Sequence, residues 1–330
     1  MRKEAIFAIV FGVLIGLVIA FGIFRINSAM KDSTPTGRVS TDASKDTLQK
    51  VSDGNLSLLK PFDRQVFGDS MVSISGVAKA ESYIIVTGGS IDQISRSLSD
   101  GTFEFDYEID PSINYLTVNS LSVTGERSKT NLELIYSSEA ALGGDEEEIS
   151  EKVENKLEEA QRKAEFFKGT VTDITDKSIQ IKNGGGEIKQ ISLSGGETTY
   201  ARIGKTTVKL TSSDVAIGDY IYALGYKGAS GVLDAFRVLV TQPETPADIK
   251  VFLGLVTTKN KTDLSLSENS QGDTVLEIDN NTKTYSGELA EPTRSRFANI
   301  SEGDLIIGTY VTEENENIAR KIHILKSSGE

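Results

Sequence analysis

The chain has 330 residues, which at roughly 100–200 residues per domain implies two or three domains and excludes a single small fold. With no Cys, no Trp and one His, it excludes disulfide frameworks, Cys-based zinc sites and thiol nucleophiles. The balance of 35 basic and 48 acidic residues gives a net charge of −13, which disfavours a fold that tracks phosphate electrostatically, so nucleic acid is not an expected partner.

After Met1-Arg2-Lys3-Glu4 comes an uncharged apolar run, Ala5 to Phe24. A helix of that length spans roughly 30 Å, the thickness of a bilayer's hydrocarbon core. The run is long for a cleaved signal peptide, whose apolar region is about 7–15 residues, and Ala20-Phe21-Gly22 is a poor cleavage site because Ile23 and Phe24 follow it. Residues 1–24 are therefore expected to be a cytoplasmic tip and a single-pass transmembrane anchor, the membrane being a partner through residues 5–24. Arg2 and Lys3 place the N-terminus inside and the bulk of the chain outside the cytoplasm. Residues 25–56, rich in Ser, Thr, Asp and Lys, read as a flexible polar stalk.

From residue 57 to 139 the apolar period changes to two. In Phe103-Glu104-Phe105-Asp106-Tyr107-Glu108-Ile109-Asp110 apolar and acidic side chains alternate, which predicts a strand with one buried and one wet acidic face. Met71 to Gly76, Tyr83 to Thr87, Tyr115 to Val118 and Leu132 to Tyr136 are further strands, separated by turns such as Gly88-Gly89 and Asp100-Gly101. About seven short strands in this length fit a β-sandwich. The succession Pro61-Phe62-Asp63, Val72-Ser73-Ile74-Ser75-Gly76, Asp100-Gly101-Thr102-Phe103, Asn114-Tyr115-Leu116-Thr117-Val118 and Leu134-Ile135-Tyr136 resembles a bacterial immunoglobulin-like surface domain. The resemblance implies a spacer or adhesive unit without catalytic residues.

Residues 144–168 change period again. Ile149, Val153, Leu157, Ala160, Ala164 and Phe167 recur at helical spacing, with Glu crowding the start and Arg162, Lys163 and Lys168 the end. This predicts an acidic amphipathic helix. It reads either as a spacer resting on the next domain or as the seam of a homodimer through residues 145–168.

Two segments then match at a period of about 85 residues, too long for an ordinary solenoid repeat. Phe167-Lys168-Gly169-Thr170-Val171 returns as Phe252-Leu253-Gly254-Leu255-Val256, and Thr198-Thr199-Tyr200 as Lys283-Thr284-Tyr285. Ile217-Gly218-Asp219-Tyr220-Ile221 returns as Glu302-Gly303-Asp304-Leu305-Ile306. Leu233 to Val238 finds Asn317 to Ile322 one residue out of step. Residues 166–240 and 251–326 are thus a duplicated β unit of five or six strands, with a Pro-containing linker, residues 241–250, holding the copies apart. The Gly-initiated first strand and the Gly-Asp turn resemble the small OB-like β-barrel domains found in tandem in exported bacterial proteins, a family that implies no activity. The expected fold class is mainly β: an N-terminal transmembrane helix, an immunoglobulin-like β-sandwich, one spacer helix and two tandem small β-barrels.

Chemistry-bearing patterns are few. His323, in Arg320-Lys321-Ile322-His323-Ile324, falls with Lys321 on the face opposite Ile322 and Ile324, which predicts a surface histidine. Ser57-Leu58-Leu59-Lys60 matches a Ser-x-x-Lys motif without its companions, and Gly184-Gly185-Gly186 lies between strands, where it makes a hairpin rather than a phosphate loop. Asp173 with Asp176, Asp145 to Glu148, and Glu104, Asp106 and Glu108 are solvated acidic surface, with no Asp-rich calcium loop. Tyr220, Tyr222, Tyr226 and Phe236 could stack bases in a barrel groove, but core packing suits them better. No catalytic, cofactor-binding or metal-ligating residue is assigned, and no cofactor is expected. The sequence is that of a non-catalytic, membrane-anchored envelope or cell-surface protein that displays binding modules or scaffolds an unknown envelope protein or glycan. The alternatives are an adaptor subunit of an envelope transport or secretion assembly, and a carbohydrate-binding surface protein.

Overall fold

The computed structural model describes residues 56–137, 163–193, 197–204, 206–268 and 272–326. The expected anchor (5–24), the stalk up to residue 55 and the expected helix up to residue 162 lie outside the described residues.

Eight strands form the N-terminal part: β1 (Leu56–Lys60), β2 (Val66–Phe67), β3 (Met71–Ala78), β4 (Tyr83–Thr87), β5 (Gln93–Arg96), β6 (Thr102–Glu108), β7 (Ser112–Leu121) and β8 (Arg127–Tyr136). They make a three-stranded sheet, β1-β3-β6, and a five-stranded sheet, β2-β8-β7-β4-β5. Val72, Ile74, Phe103 and Tyr107 from the first sheet meet Ile84, Val86, Leu116, Val118, Leu132 and Leu134 from the second in one core. In β6 the alternation holds: Phe103 and Tyr107 are buried, and Glu104, Asp106 and Glu108 face solvent.

The first repeat comprises β9 (Glu165–Ile174), β10 (Ser178–Lys182), β11 (Ile188–Leu193), β12 (Thr199–Arg202), β13 (Val208–Leu210), β14 (Tyr220–Lys227) and β15 (Leu233–Thr241). The second comprises β16 (Ile249–Lys259), β17 (Asp263–Glu268), β18 (Gly272–Glu277), β19 (Lys283–Ser286), β20 (Thr293–Arg294), β21 (Leu305–Glu313) and β22 (Glu316–Lys326). Each is a seven-stranded sheet of the same order. The third strand also pairs in parallel with the last, so the sheet returns on itself. A 3-10 turn occupies the same place in both, Ser212–Asp214 and Phe297–Asn299. The duplication is therefore structural, and Gly169 shows one reason for its pattern: a Cβ there would lie 2.3 Å from the Lys182 carbonyl oxygen of the neighbouring strand. A bulge follows within a few residues on β9, and another at the matching place on β16.

The expected fold class is corrected in several respects. Described regular structure is strand apart from the two 3-10 turns, and among the described residues no helix is long and apolar enough to cross a membrane. Glu165 to Lys168, expected to finish the spacer helix, open strand β9. Phe167 fits the helical spacing only by coincidence, since it and its neighbour Phe166 are buried on opposite faces of that strand, in different clusters. The expected immunoglobulin-like β-sandwich is corrected too: the N-terminal part has eight strands rather than about seven, in sheets of three and five, with β2 running parallel to β8. The repeats are not self-contained five- or six-stranded barrels held apart by a linker. The described residues form one compact unit, in which each repeat shares a second core with the five-stranded sheet.

Those shared cores explain strand β4, in which all five residues, Tyr83 to Thr87, are buried. Ile84 and Val86 face the three-stranded sheet, whereas Tyr83 and Ile85, with Ile94 and Leu121, pack on Val251 and Ile307 of the second repeat. At the other side of the same sheet Val66, Ile113 and Ile135 pack on Phe166, Tyr222 and Leu239 of the first repeat. Phe166 and Val251 hold matching places in the two repeats, as do Tyr222 and Ile307, so both copies dock through the same strands. Each fully buried side chain of this size contributes about 1.5–3 kcal/mol by leaving water, which makes the docking a fixed part of the fold. Main-chain hydrogen bonds reinforce it at the first repeat, where Val66 N–H donates to Ala164 O at 2.8 Å and Phe166 N–H to Arg64 O at 3.1 Å.

Candidate functional site

Several buried or half-buried charged side chains lie where the modules meet. At the first repeat, Tyr222 is buried and its hydroxyl donates to Glu133 Oε1 at 2.7 Å. A phenol has one proton to give, so the 2.7 Å contact between the Tyr115 and Tyr222 hydroxyls is donated by Tyr115. Lys168 pairs with the other Glu133 oxygen and lies 5.7 Å from the centroids of both tyrosine rings. Burial, together with the hydrogen bond donated to the Glu133 carboxylate and that carboxylate's charge, pushes the Tyr222 phenol far above its ordinary value. The aromatic residues of this repeat thus serve packing. Tyr222 sits against Phe166 and Tyr220, and Tyr226 against Phe236, at centroid distances of 5.4, 5.9 and 5.7 Å.

At the second repeat the central group is Asp92, in the loop between β4 and β5. Tyr107 anchors that loop from below, its hydroxyl donating to Ile91 O at 2.8 Å, and Asp110 accepts from Ser90 N–H at 2.8 Å. The buried Asp92 carboxylate accepts from Thr309 Oγ1 at 2.6 Å and from Arg320 Nε at 3.0 Å. Its carbonyl oxygen accepts from Lys321 Nζ at 2.7 Å. Nearby, the buried Glu268 pairs with Arg127 and accepts from Thr274 Oγ1 at 2.8 Å, while Arg127 Nη1 donates to Val251 O at 2.8 Å.

Arg320 and Lys321 are adjacent in sequence and would point to opposite faces of a regular strand. They converge because β22 is bulged there: Thr309 faces Lys321, and Tyr310 faces Ala319, leaving Arg320 as the extra residue. Bulges re-aim side chains in this way. The matching bulge in the first repeat leaves Phe236 extra, and Phe236 packs against the shared core there. Both repeats carry this bulge, so the one-residue slip in the sequence match near Arg320 reflects the shorter β21–β22 hairpin and not the extra residue.

The same slip changes the pairing of the matched Thr-Tyr segments, Thr199-Tyr200 and Thr284-Tyr285. Tyr200 lies opposite Val238 and packs on the core of the first repeat, whereas Tyr285 lies opposite His323. Tyr285 is thereby turned out of the core and lines a cleft of about 650 Å³ between the β4–β5 loop and the second repeat. Lys283, Arg294, Arg320 and Lys321 line it as well. The Lys321 ammonium is 4.8 Å from the Tyr285 ring centroid, and the Arg294 guanidinium carbon is 5.3 Å from it, with Arg294 Nη1 3.3 Å from the phenol oxygen. Burial holds the Lys321 ammonium below its ordinary pKa, Asp92 opposes that shift, and the neighbouring Lys283 adds to it.

His323 is not a surface histidine. It is 1% exposed, and its Nε2 is 2.9 Å from Gly287 O. The alternation was read correctly, but the second face of β22 is covered as well. Burial lowers its pKa, the Gly287 carbonyl opposes the shift, and Lys321 adds to it. Ser57 and Lys60 lie in strand β1, and Gly184 to Gly186 form the turn of the β10–β11 hairpin, where Asn183 N–H donates to Glu187 O at 2.9 Å. Asp173 and Asp176 are exposed, and Asp145 to Glu148 lie outside the described residues. Among the described residues no group of three or more His, Cys, Asp or Glu is placed to hold a metal ion.

No family model matches the chain, and no curated protein matches it. The immunoglobulin-like and OB-like resemblances therefore gain no support from relatives. Among solved structures, the chain is similar to one described as "Structural insight into host cell surface retention of a 1.5-MDa bacterial ice-binding adhesin". The identity is 9%, the match covers 82% of this chain and 98% of that one, and the TM-score is 0.19. A likeness at that level carries no argument about fold or function.

Proposed function

We propose that this protein is a non-catalytic binding or scaffolding component of the cell envelope, whose β modules form one rigid body that presents the cleft beside Tyr285. The observation that carries this reading is how the interior charges are used. Asp92, Glu133 and Glu268 each hold residues of two modules together through hydrogen bonds and ion pairs. Carboxylates committed in this way serve rigidity, and a rigid frame is what a binding surface needs to hold its groups in place. The envelope location draws its support from the apolar run of residues 5–24.

Cross-linking of the full chain in its native cells, followed by mass spectrometry and fractionation, tests the proposal. The expected result is recovery in the envelope fraction with covalently captured envelope proteins or glycans. Recovery in the soluble cytoplasmic fraction, attached only to cytoplasmic proteins, would overturn it.

A further inference from the structure

The cleft beside Tyr285 is cationic on a chain whose net charge is −13. Of its basic groups, Arg320 is committed to Asp92. Lys283 and Arg294 are exposed, and Lys321, although bonded to one carbonyl oxygen, retains two further ammonium protons. Lys283 and Lys321 are directly paired across strands β19 and β22, which brings like charges together. Like charges opposite one another in a sheet are destabilising, and an anion between them relieves the repulsion.

Of the acidic groups, Asp92 is neutralised as described, and Asp279 is turned into its own loop, where Asn281 N–H, Thr282 N–H and Thr282 Oγ1 all donate to its Oδ1 at 2.9–3.0 Å. Glu313 is the third acidic group, so four basic side chains line the cleft against three acidic ones and the surplus is one positive charge. It matches one anionic group rather than the dense charge of a nucleic acid, which the chain's overall field repels. The remaining wall supplies Ser90, Asn280 and Glu313, whose hydroxyl, amide and carboxylate suit sugar hydroxyls. The volume falls within the usual range for small-ligand sites, roughly 300–1,000 Å³.

We propose that this cleft binds an acidic polysaccharide, with a carboxylate or phosphate group of the sugar chain held by Lys283, Arg294 and Lys321. The proposal rests on the binding-module reading above and names its ligand class.

The test is calorimetric titration of the full chain, in a neutral detergent, with four probes: an oligogalacturonate, a phosphomannan oligosaccharide, an uncharged malto-oligosaccharide of equal length and a short single-stranded DNA. The expected result is binding of at least one acidic oligosaccharide, weakened by added NaCl, without binding of the neutral one. The oligogalacturonate and phosphomannan arms tell carboxylate from phosphate recognition. The double variant Lys283→Gln/Arg294→Gln should weaken that binding about tenfold, because two exposed charge-assisted contacts are lost. Both side chains are exposed and outside the shared cores, so a urea midpoint that does not fall certifies the fold of the variant. Equal binding of the neutral oligosaccharide, tighter binding of DNA, no binding of either acidic oligosaccharide, or unchanged affinity in the double variant would each overturn the proposal. Envelope capture by wild type combined with failure of both acidic probes removes the ligand and leaves the broader reading standing. Absence of envelope capture removes the broader reading itself.

Discussion

Arg320 Nε lies 3.0 Å from Asp92 Oδ2, joining residues 228 positions apart in the sequence. The Asp92 carboxylate is 2% exposed and the Arg320 side chain 35%, so the pair is partly dry and asymmetric. Removing the guanidinium strands a buried carboxylate with Thr309 as its remaining side-chain donor, which is costlier than removing both partners. Arg320→Ala is expected to destabilise the protein by about 2–4 kcal/mol. The double variant Asp92→Asn/Arg320→Met should recover part of that loss. Urea denaturation midpoints at constant slope measure both, and an unaltered midpoint in Arg320→Ala would show that the pair does not fasten the second repeat.

The Tyr115–Tyr222–Glu133 chain makes an alkaline prediction. Burial raises the folded-state pKa of Tyr222, and of Tyr107 and Tyr115 likewise. An acid whose pKa is raised on folding contributes stability that is complete below its unfolded pKa and is lost as pH rises above it. Stability should therefore fall above about pH 10, the unfolded value for tyrosine. Tyr222→Phe should make that fall shallower while costing about 1–3 kcal/mol at neutral pH, because Glu133 and Tyr115 lose a partner. A pH series of thermal melts, with and without the substitution, decides the matter; parallel alkaline slopes would contradict it.

His323 predicts the opposite limb. A base whose folded pKa is lowered is neutral in both states above the unfolded value. Below about 6.5, the unfolded chain takes up a proton that the folded chain refuses. Stability should decline as pH falls below that point, and His323→Gln, which keeps a donor for Gly287 O, should remove part of the decline. Because His323 is the single histidine, its imidazole NMR signal can be followed directly. A midpoint at or above the ordinary value would rule out the burial effect.

Gly308 supplies a steric prediction. A Cβ there would stand 1.9 Å from Lys321 O and 2.7 Å from the Phe252 ring, whereas at Gly184 it would meet nothing within 4 Å. Gly308→Ala should cost about 1–3 kcal/mol or more by overpacking, and Gly184→Ala should be close to neutral. Comparable urea midpoints for the two variants would refute the packing at β21–β22.

The parts of this protein legible in the sequence are those set by local periodicity. Alternation over Phe103 to Asp110 located β6 and its wet acidic face, the spacing of Gly169 and Gly254 located the two first strands, and repetition exposed the duplication. Where a segment carried two periodicities the reading failed: Phe167 fits a heptad as well as a strand, and only its pairing with Ala223 of β14 decides between them.

The sequence by itself determined that the chain is rich in strands, duplicated, acidic and poor in catalytic side chains. Only the tertiary structure decided that β4 is buried on both faces, that His323 is enclosed, and that Arg320 leaves the strand's alternation to reach Asp92. The physical reason is that a period of two says which side chains share a face, but not what that face meets. Burial of the second face, the partners of the charged groups at the junctions, and the cationic cleft beside Tyr285 all arise from contacts between segments far apart in the chain.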